Sequence, residues 1–298
     1  MTSQSTSKPI VEGTSLWLDA WKRLKKNRAA YLSGIVFVFL TCLCFIGPFV
    51  MKAMGFAYDA QDIAYGAHSP TLNHWFGTDF YGRDIFTRVL VGARVSLKIG
   101  LIAAIVSAIV GTIFGSIAGY AGGKIDNLMM RFVDILYALP YMFLVIIFVT
   151  ITENKGETVL FIALGLVGWL TTARIVRGQV LSLKEREFVQ AAHSIGVPAY
   201  LIIFRHLIPN TLGPIIVYFT LTIPTMILQE AFLSFLGLGI QPPKPSLGTL
   251  INDGANHMIV FWWELVFPSL FMAVMLFSLN FLGDGLRDAL DPQMKKES

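Results

Sequence analysis

The chain has 298 residues, of which 55% are hydrophobic and only 14% are charged, and its formal net charge is +4. A soluble protein would carry about a quarter charged residues, so this composition excludes an ordinary soluble enzyme and predicts a polytopic membrane protein. The small positive charge is explained by basic residues beside membrane spans, and we predict no nucleic-acid partner.

The N-terminal residues 1–28 predict a cytoplasmic tail that ends in an amphipathic helix at the membrane surface. Residues 1–13 are polar, whereas residues 14–28 place apolar side chains such as Trp21 and Leu24 on one helical face. We expect that face to contact lipid. The opposite face is expected to present the basic residues Lys22, Arg23, Lys25, Lys26 and Arg28. Basic residues just before a first span predict a cytoplasmic N-terminus.

Six apolar segments, each near the roughly 20 residues that cross a bilayer, predict an all-α polytopic membrane protein. The predicted spans are residues 29–51, 97–120, 129–152, 158–176, 212–230 and 262–282. They make residues 29–298 one transmembrane domain with both termini inside. The inner segments are then 121–128, 177–211 and 283–298, and the outer loops are 52–96, 153–157 and 231–261.

Two kinds of residue within the spans predict how the helices pack. Small residues four positions apart let two helices approach closely, and they form the ladder Ala103, Ser107, Gly111, Gly115 and Gly119. We expect this ladder to pack within the chain, with a subunit interface as the alternative. Pro140 and Pro224 are expected to kink the third and fifth spans.

Charged residues are rare within the spans, which argues against a proton-coupled carrier. Asp134 lies one helical turn from Arg131, and we expect a structural ion pair between them. Glu230 ends the fifth span, and two interpretations stay open for it. It is a candidate pathway residue that meets a substrate's amino group, or a helix-end carboxylate in water. An interfacial aromatic belt is predicted at Phe261, Trp262 and Trp263.

No catalytic motif is recognisable in the chain. Gly122-Gly123-Lys124 does not have the spacing of the Gly-x-x-x-x-Gly-Lys-Ser/Thr phosphate loop. We also find neither a Gly-x-Ser-x-Gly nor a His-Glu-x-x-His motif. The five histidines form no i,i+4 pair, and the two cysteines lie in the first span. We therefore predict no catalytic, cofactor-binding or metal-binding residues.

Residues 186–209 predict a helix, a corner and a second helix, too short to cross a bilayer. Apolar residues recur there at helical spacing and form one stripe, Phe188, Ala191, Ala192 and Ile195. Gly196 suits a helix C-terminus and Pro198 suits the first helical position, so we expect a corner between them. The alternative is an amphipathic loop that rests on the membrane surface. We interpret the corner as a preformed contact for another protein.

The first outer loop carries a second pattern, which combines glycines with charged residues. Its candidate functional residues are Gly77, Thr78, Asp79, Gly82, Arg83, Asp84, Arg88 and Arg94. We expect an outer helix whose salt bridges order the loop, with each exposed ion pair contributing about 0–1 kcal/mol. Direct contact with a partner protein is the alternative.

The corner resembles the coupling loop of ABC importer permeases. That family pattern is Glu-Ala-Ala, three residues, Gly, nine residues and Ile-x-Leu-Pro. Here Gln190, His206 and Ile208 replace Glu, Ile and Leu, while the Ala-Ala, Gly and Pro positions match. The resemblance implies docking on a separate ATPase subunit through Glu187, Gln190, Ala191, Ala192, Gly196, Pro198, Arg205, His206 and Pro209.

Further motifs resemble the peptide/nickel branch of this family. The outer-loop residues that begin at His74-Trp75-Phe76-Gly77-Thr78-Asp79 carry this resemblance, and so does Leu233-Ser234-Phe235-Leu236-Gly237-Leu238-Gly239. Both ends of the chain, at Glu12-Gly13 and over residues 283–292, are most similar to the C-type membrane subunit of bacterial oligopeptide permeases. The resemblance covers nearly the whole chain from about residue 12.

The resemblance implies a type I ABC importer (MetI-like) permease fold with six transmembrane helices in the bacterial cytoplasmic (inner) membrane. It implies as partners a homologous B-type permease subunit and a periplasmic or lipid-anchored peptide-binding protein. It also implies two ATPase subunits, of one or two kinds, that bind ATP and Mg. The expected substrate is an oligopeptide. Dipeptide, glutathione and nickel permeases are the alternatives within the family, and a secondary transporter or channel is the alternative outside it.

Overall fold

The computed structural model describes residues 16–152 and 156–290. Within these ranges the regular structure is helical, and only an isolated β-bridge joins Thr78 to Asp84. The helices are α1 Leu16–Lys26, α2 Arg28–Ala53, α3 Ile85–Ala121, α4 Gly123–Ala138, α5 Tyr141–Ile151, α6 Glu157–Lys184, α7 Glu187–Ser194, α8 Ala199–Leu201, α9 Ile208–Phe235, α10 Leu247–His257 and α11 Trp262–Leu290. A π-helical segment, Ile202–Leu207, joins α8 to α9. The predicted polar tail at residues 1–13 lies outside the described residues.

Five helical segments of the described chain are long and apolar enough to cross a membrane: α2, α3, α6, α8 through α9, and α11. The pair α4 and α5 makes a sixth span if it is counted as one, although its two helices meet at 82°. The bend falls at Pro140, which lacks a backbone N–H and holds Leu139 in an extended conformation. The predicted kink at Pro140 is therefore confirmed. Helix α9 runs without a break through Pro224, and the kink expected there stays a prediction.

The second span begins earlier than the sequence predicts. We expected it to start near residue 97, but α3 starts at Ile85, so residues 85–96 are helical and do not belong to a loop. The arginines near the start of α3 suggested a loop in the sequence, but in the structure they have partners within the chain. Arg88 is only 4% exposed and pairs with Asp79, and the guanidinium of Arg94 lies 5.9 Å from the Phe49 ring centroid.

The small-residue ladder packs α3 against α6. A Cβ built on Gly115 would lie 2.3 Å from the carbonyl oxygen of Ala173, and one on Gly119 would lie 2.9 Å from Val180. The two backbones approach this closely because these positions carry no side chain. The prediction that the ladder packs within the chain is confirmed.

Helix α1 is attached to the end of α11. Ala20 and Leu24 are buried in a cluster with Ala289, so the prediction that Leu24 faces lipid is wrong. Trp21 remains 52% exposed. Leu24 is buried because Gly285 of α11 leaves room for the α1–α2 connection to pack closely.

Helix α3 runs the length of the bundle and defines its two ends. Near its start, Gly92 contacts Ser246, the N-cap of α10. Near its finish, Gly119 contacts Val180, one turn before the end of α6 and shortly before α7. We call these the α10 end and the α7 end.

Candidate functional site

The corner at the α7 end is built around Gly196. Its φ is +80°, in the left-handed region that favours glycine, and its N–H donates to the carbonyl of His193 at 3.0 Å. The next N–H, from Val197, donates to the carbonyl of Ala192 at 3.1 Å. These two bonds close the end of α7 in a Schellman arrangement. As predicted, Gly196 ends the helix.

The second half of the corner differs from the prediction. Pro198 is the N-cap of α8 and not its first helical residue. From α8 the chain continues through the π segment into α9, so the predicted second short helix is the beginning of a membrane span. The loop itself is also shorter than the predicted 177–211, because α6 extends to Lys184.

The predicted apolar stripe divides into buried and exposed members. Ala192 is buried, and so is Val189, which the stripe did not include; both belong to a cluster with Ile202 and Leu207. Phe188 and Ile195 point outward. Tyr200 and Phe204 are also exposed, and with them they form the corner patch: Phe188 at 42% exposure, Ile195 at 80%, Tyr200 at 62% and Phe204 at 58%.

The remaining predicted coupling residues lie around this patch. Glu187, Gln190, Ala191, Arg205 and Pro209 are exposed, and His206 is half-buried. The carbonyl of His206 accepts a 2.6 Å hydrogen bond from the side chain of Asn210. The predicted coupling residues therefore lie on or beside the exposed corner, except Ala192, which is buried beneath it.

At the α10 end, the charged residues of the outer-loop motif form the predicted salt bridges, and the helix expected there is the first part of α3, which begins after Asp84. Asp79 accepts from Nε of Arg83 at 2.7 Å and lies 3.5 Å from Nε of Arg88. Asp84 caps α3 by accepting from the N–H of Thr87 at 2.7 Å, and it contacts Nδ1 of His74 at 2.9 Å. These ion pairs are largely buried, which the prediction of exposed pairs missed.

The glycines of the motif stand at close backbone contacts. Gly77 and Gly82 both have positive φ. A Cβ on Gly82 would lie 1.9 Å from the carbonyl oxygen of Asp62, and one on Gly77 would collide with Trp263. Trp263 is buried and donates from Nε1 to the carbonyl of Thr78 at 3.1 Å. It is therefore no part of an interfacial belt, whereas Trp262 is half exposed.

Glu230 lies in neither of its two predicted environments. Its side chain is fully buried, so in this conformation it faces neither water nor a pathway. Ser96 of α3 donates to Oε2 at 2.7 Å, and Ser234 donates to Oε1 at 2.7 Å. The same Ser96 oxygen accepts from the N–H of Leu247, so this network joins α3, α9 and α10.

Asp134 does not pair with Arg131 as predicted. Its partner is Arg174 of α6, at 2.8 Å, and both side chains are substantially exposed. The i,i+3 spacing suggested the wrong arginine because α6 crosses α4 at this level. A second inter-helix pair, Arg177 with Asp126, was not predicted.

A cleft of about 540 Å³ opens at the α10 end, between the loop before α3, the segment after α9, and α10. Its acidic and basic lining residues are Asp79, Arg83, Arg88, Lys244, Asp253, His257 and Glu264. The sequence analysis missed the last four residues. They lie in or beside the predicted outer loop 231–261, where no motif singled them out.

Comparison with known families gives two matches. Residues 111–296 match the family described as binding-protein-dependent transport system inner membrane component. Residues 15–70 match the N-terminal TM domain of oligopeptide transport permease C.

Individual proteins are similar along nearly the whole chain. The oligopeptide transport system permease protein OppC of Escherichia coli (strain K12) is 51% identical, over 95% of this chain and 93% of its own length. The dipeptide transport system permease protein DppC of Bacillus subtilis (strain 168) is 44% identical, over 99% of this chain and 90% of its own. The glutathione transport system permease protein GsiD of an Escherichia coli O6 strain is 39% identical, over 94% of this chain and 91% of its own length.

A solved structure shows the same fold. The inward-facing MetNI methionine ABC transporter matches with a TM-score of 0.54 at 17% identity, and the match covers 68% of this chain and 96% of that one. This agrees with the predicted MetI-like fold. With the helical bundle, its spans and these matches, the chain belongs to the family of binding-protein-dependent transport system inner membrane components, the membrane-spanning permeases of ABC importers.

Proposed function

We propose that this chain is one membrane-spanning subunit of an ATP-driven importer that carries oligopeptides across the cytoplasmic membrane. The corner patch is the observation that carries the proposal. Four large apolar side chains stand exposed around a corner fixed by Gly196, outside the apolar centre of the bundle. Exposed apolar groups on a rigid, polar-rimmed surface are typical of a protein contact.

The contact we assign to the corner patch is an ATPase subunit. Two such subunits, of one or two kinds, bind ATP and Mg and press on this corner, while a homologous B-type permease forms the other half of the transport pathway. A periplasmic or lipid-anchored peptide-binding protein delivers substrate at the α10 end. This places the α7 end and both termini in the cytoplasm, in keeping with the basic residues of α1.

Oligopeptides are the substrate class favoured by the named relatives. The oligopeptide relative from Escherichia coli is 51% identical, against 44% for the dipeptide relative and 39% for the glutathione relative. A dipeptide importer is the second candidate, because its relative covers 99% of this chain. Uptake of a labelled tetrapeptide, competed with tri- to pentapeptides or with dipeptides, separates the two. Strong competition by dipeptides alone contradicts the oligopeptide assignment.

Replacement of Gly196 by leucine tests the coupling role of the corner. The added Cβ meets nothing within 4 Å, but a φ of +80° is strained for any side chain, at a cost of about 1–3 kcal/mol. We expect G196L to insert into the membrane normally while peptide uptake is lost. G213A is the matched control, since Gly213 also has open space around it and no positive φ.

Two outcomes contradict the proposal. Normal uptake by G196L shows that the corner is not the coupling element. Gradient-driven uptake by the chain purified and reconstituted alone, without an ATPase, assigns it to the secondary transporters or channels.

A further inference from the structure

The cleft at the α10 end contains two carboxylates that its basic residues leave without a salt bridge. Three carboxylates, of Asp79, Asp253 and Glu264, line it together with the guanidiniums of Arg83 and Arg88. Asp79 lies 2.7 Å from Nε of Arg83 and 3.5 Å from Nε of Arg88. Lys244 also lines the cleft, but its Nζ lies 3.2 Å from Glu157, which does not line it. Within the described residues none of these three cations forms a salt bridge with Asp253 or Glu264, so two carboxylates of the cleft have no lysine or arginine partner.

Glu264 is the buried one of these two carboxylates. The residue is 5% exposed, and its Oε2 lies 3.0 Å from Nδ1 of His257. Its Oε1 has no hydrogen-bond partner among residues 16–152 and 156–290, and the same holds for Nε of Arg88. A buried polar atom without a partner is costly, so a group that enters the cleft and offsets its charge would be favoured. A positive group in the cleft would offset the charge of Glu264 without touching it, because electrostatic interactions are long-ranged in a buried site.

Asp253 is the accessible one of the two carboxylates. Its side chain is open to the cleft, and within the described chain it makes no hydrogen bond or salt bridge. The cleft walls surround it closely enough that desolvation raises the pKa of its carboxyl above the usual value, although the nearby Arg88 and Arg83 oppose this effect. A cationic ligand placed against Asp253 would stabilise the ionised form.

The other walls of the cleft restrict the kind of cation. Phe80, Tyr81, Ile240 and Pro242 contribute apolar surface, and the volume of about 540 Å³ is that of a small-molecule site. Within the described chain no group of three His, Cys, Asp or Glu side chains is arranged to hold a metal ion. The chemistry therefore favours an organic ammonium group with an apolar body.

We propose that this cleft binds the N-terminal ammonium of the transported peptide, with Asp253 as its direct partner and Glu264 as a buried countercharge. The inference rests on the proposed function, which places peptide at this end of the chain. The cleft is then a site on the permease itself that accepts the amino end of a peptide and is indifferent to its side chains.

Photo-crosslinking in the assembled transporter tests the site, because a covalent label records peptide binding even when the affinity is weak. The probe is a tri-alanine peptide with a free amino group and a C-terminal benzophenone amide, and labelled residues are read by mass spectrometry. We expect labelling on the cleft-lining segments 80–83 and 240–244, competed by free tri-alanine but not by N-acetyl-tri-alanine. D253N should reduce the labelling about tenfold, as expected for a lost charge-assisted hydrogen bond. D59N is the matched control, because Asp59 is exposed at the same end but lies outside the cleft.

Three results would overturn the site: equal labelling of D253N and wild type, equal competition by the acetylated peptide, or protection of the cleft by the binding protein but not by tri-alanine. The last would assign the cleft to protein docking.

E264Q provides a second variant that keeps side-chain size and the contact with His257, and it should also weaken labelling. Uptake of labelled tri-alanine is measured in parallel. If wild type takes up peptide while the cleft fails these tests, only this inference falls; if it takes up none, the proposed function itself fails.

Discussion

Arg177 of α6 and Asp126 of α4 form two parallel hydrogen bonds, from Nε to Oδ1 at 2.5 Å and from Nη2 to Oδ2 at 2.7 Å. The carboxylate is buried, and the guanidinium is about one-third exposed. The pair fixes the first half of the bent α4–α5 span against α6.

Loss of Arg177 should destabilise the chain more than loss of Arg174. R177A leaves the buried carboxylate of Asp126 without a partner, and we expect the free energy of unfolding to fall by about 2 kcal/mol or more. This is less than for a fully buried salt bridge, because the arginine is partly exposed. R174A breaks the exposed pair with Asp134 and should cost about 0–1 kcal/mol. Thermal unfolding of the two variants in identical nanodiscs compares them. Equal midpoints would contradict a structural role for the bidentate pair.

Glu230 should contribute to stability at the α10 end. E230A removes a fully buried side chain and leaves the hydroxyls of Ser96 and Ser234 without their acceptor, so we expect a loss of about 2–4 kcal/mol. E230Q preserves the volume and one acceptor oxygen, and it should lose about 1 kcal/mol. The midpoint of thermal unfolding measures both variants. If E230Q lowers the midpoint as much as E230A does, the stability at this site depends on the carboxylate and not on the packing of the side chain.

A side chain on Gly115 should separate α3 from α6. G115V places Cβ on the backbone carbonyl of Ala173, which cannot move aside as a side chain can. We expect a loss of about 1–3 kcal/mol or more and a lower yield of folded chain in fluorescence-detected size exclusion. G178A is the control, because a Cβ on Gly178 meets nothing within 4 Å. A normal yield of G115V would show that the helices do not pack at this distance.

The corner patch predicts a difference between two exposed isoleucines. Ile195 belongs to the patch, whereas Ile259, 94% exposed, lies at the α10 end. Burial of one isoleucine in an interface stabilises it by about 1.5–3 kcal/mol, so I195S should lower ATPase retention roughly tenfold or more. I259S should leave retention unchanged. Co-purification of the ATPase with the tagged chain measures this, and equal loss in both variants would place the docking surface elsewhere.

The predicted features that the structure confirms depend on neighbouring residues in the sequence. The Gly196 corner follows from a glycine at a helix end, and the bend at Pro140 follows from a missing N–H. The α3–α6 contact follows from small residues four apart, all on one helix.

The features that were missed depend on partners far apart in the sequence. Glu230 takes its main partner, Ser96, from 134 residues earlier, so its burial leaves no local signal. Arg88 was expected in an exposed ion pair of the outer loop, and the burial of its pair with Asp79 is visible only in three dimensions. Asp253 and Glu264 became candidates only when the fold placed them beside the loop before α3.

The continuity of the helix from Ala199 to Phe235 has a mechanical consequence. At 1.5 Å per residue its 37 residues form a rod about 55 Å long, from the corner to the neighbourhood of Glu230. Under the proposed coupling role, a displacement applied at Gly196 would therefore pass along one continuous helical segment, which includes Pro214 and Pro224, without crossing a loop. The π-helical segment Ile202–Leu207 has wider turns and lies near the corner end of this helix. A displacement at the corner would first change the helix there, by rotating the residues after it about the helix axis.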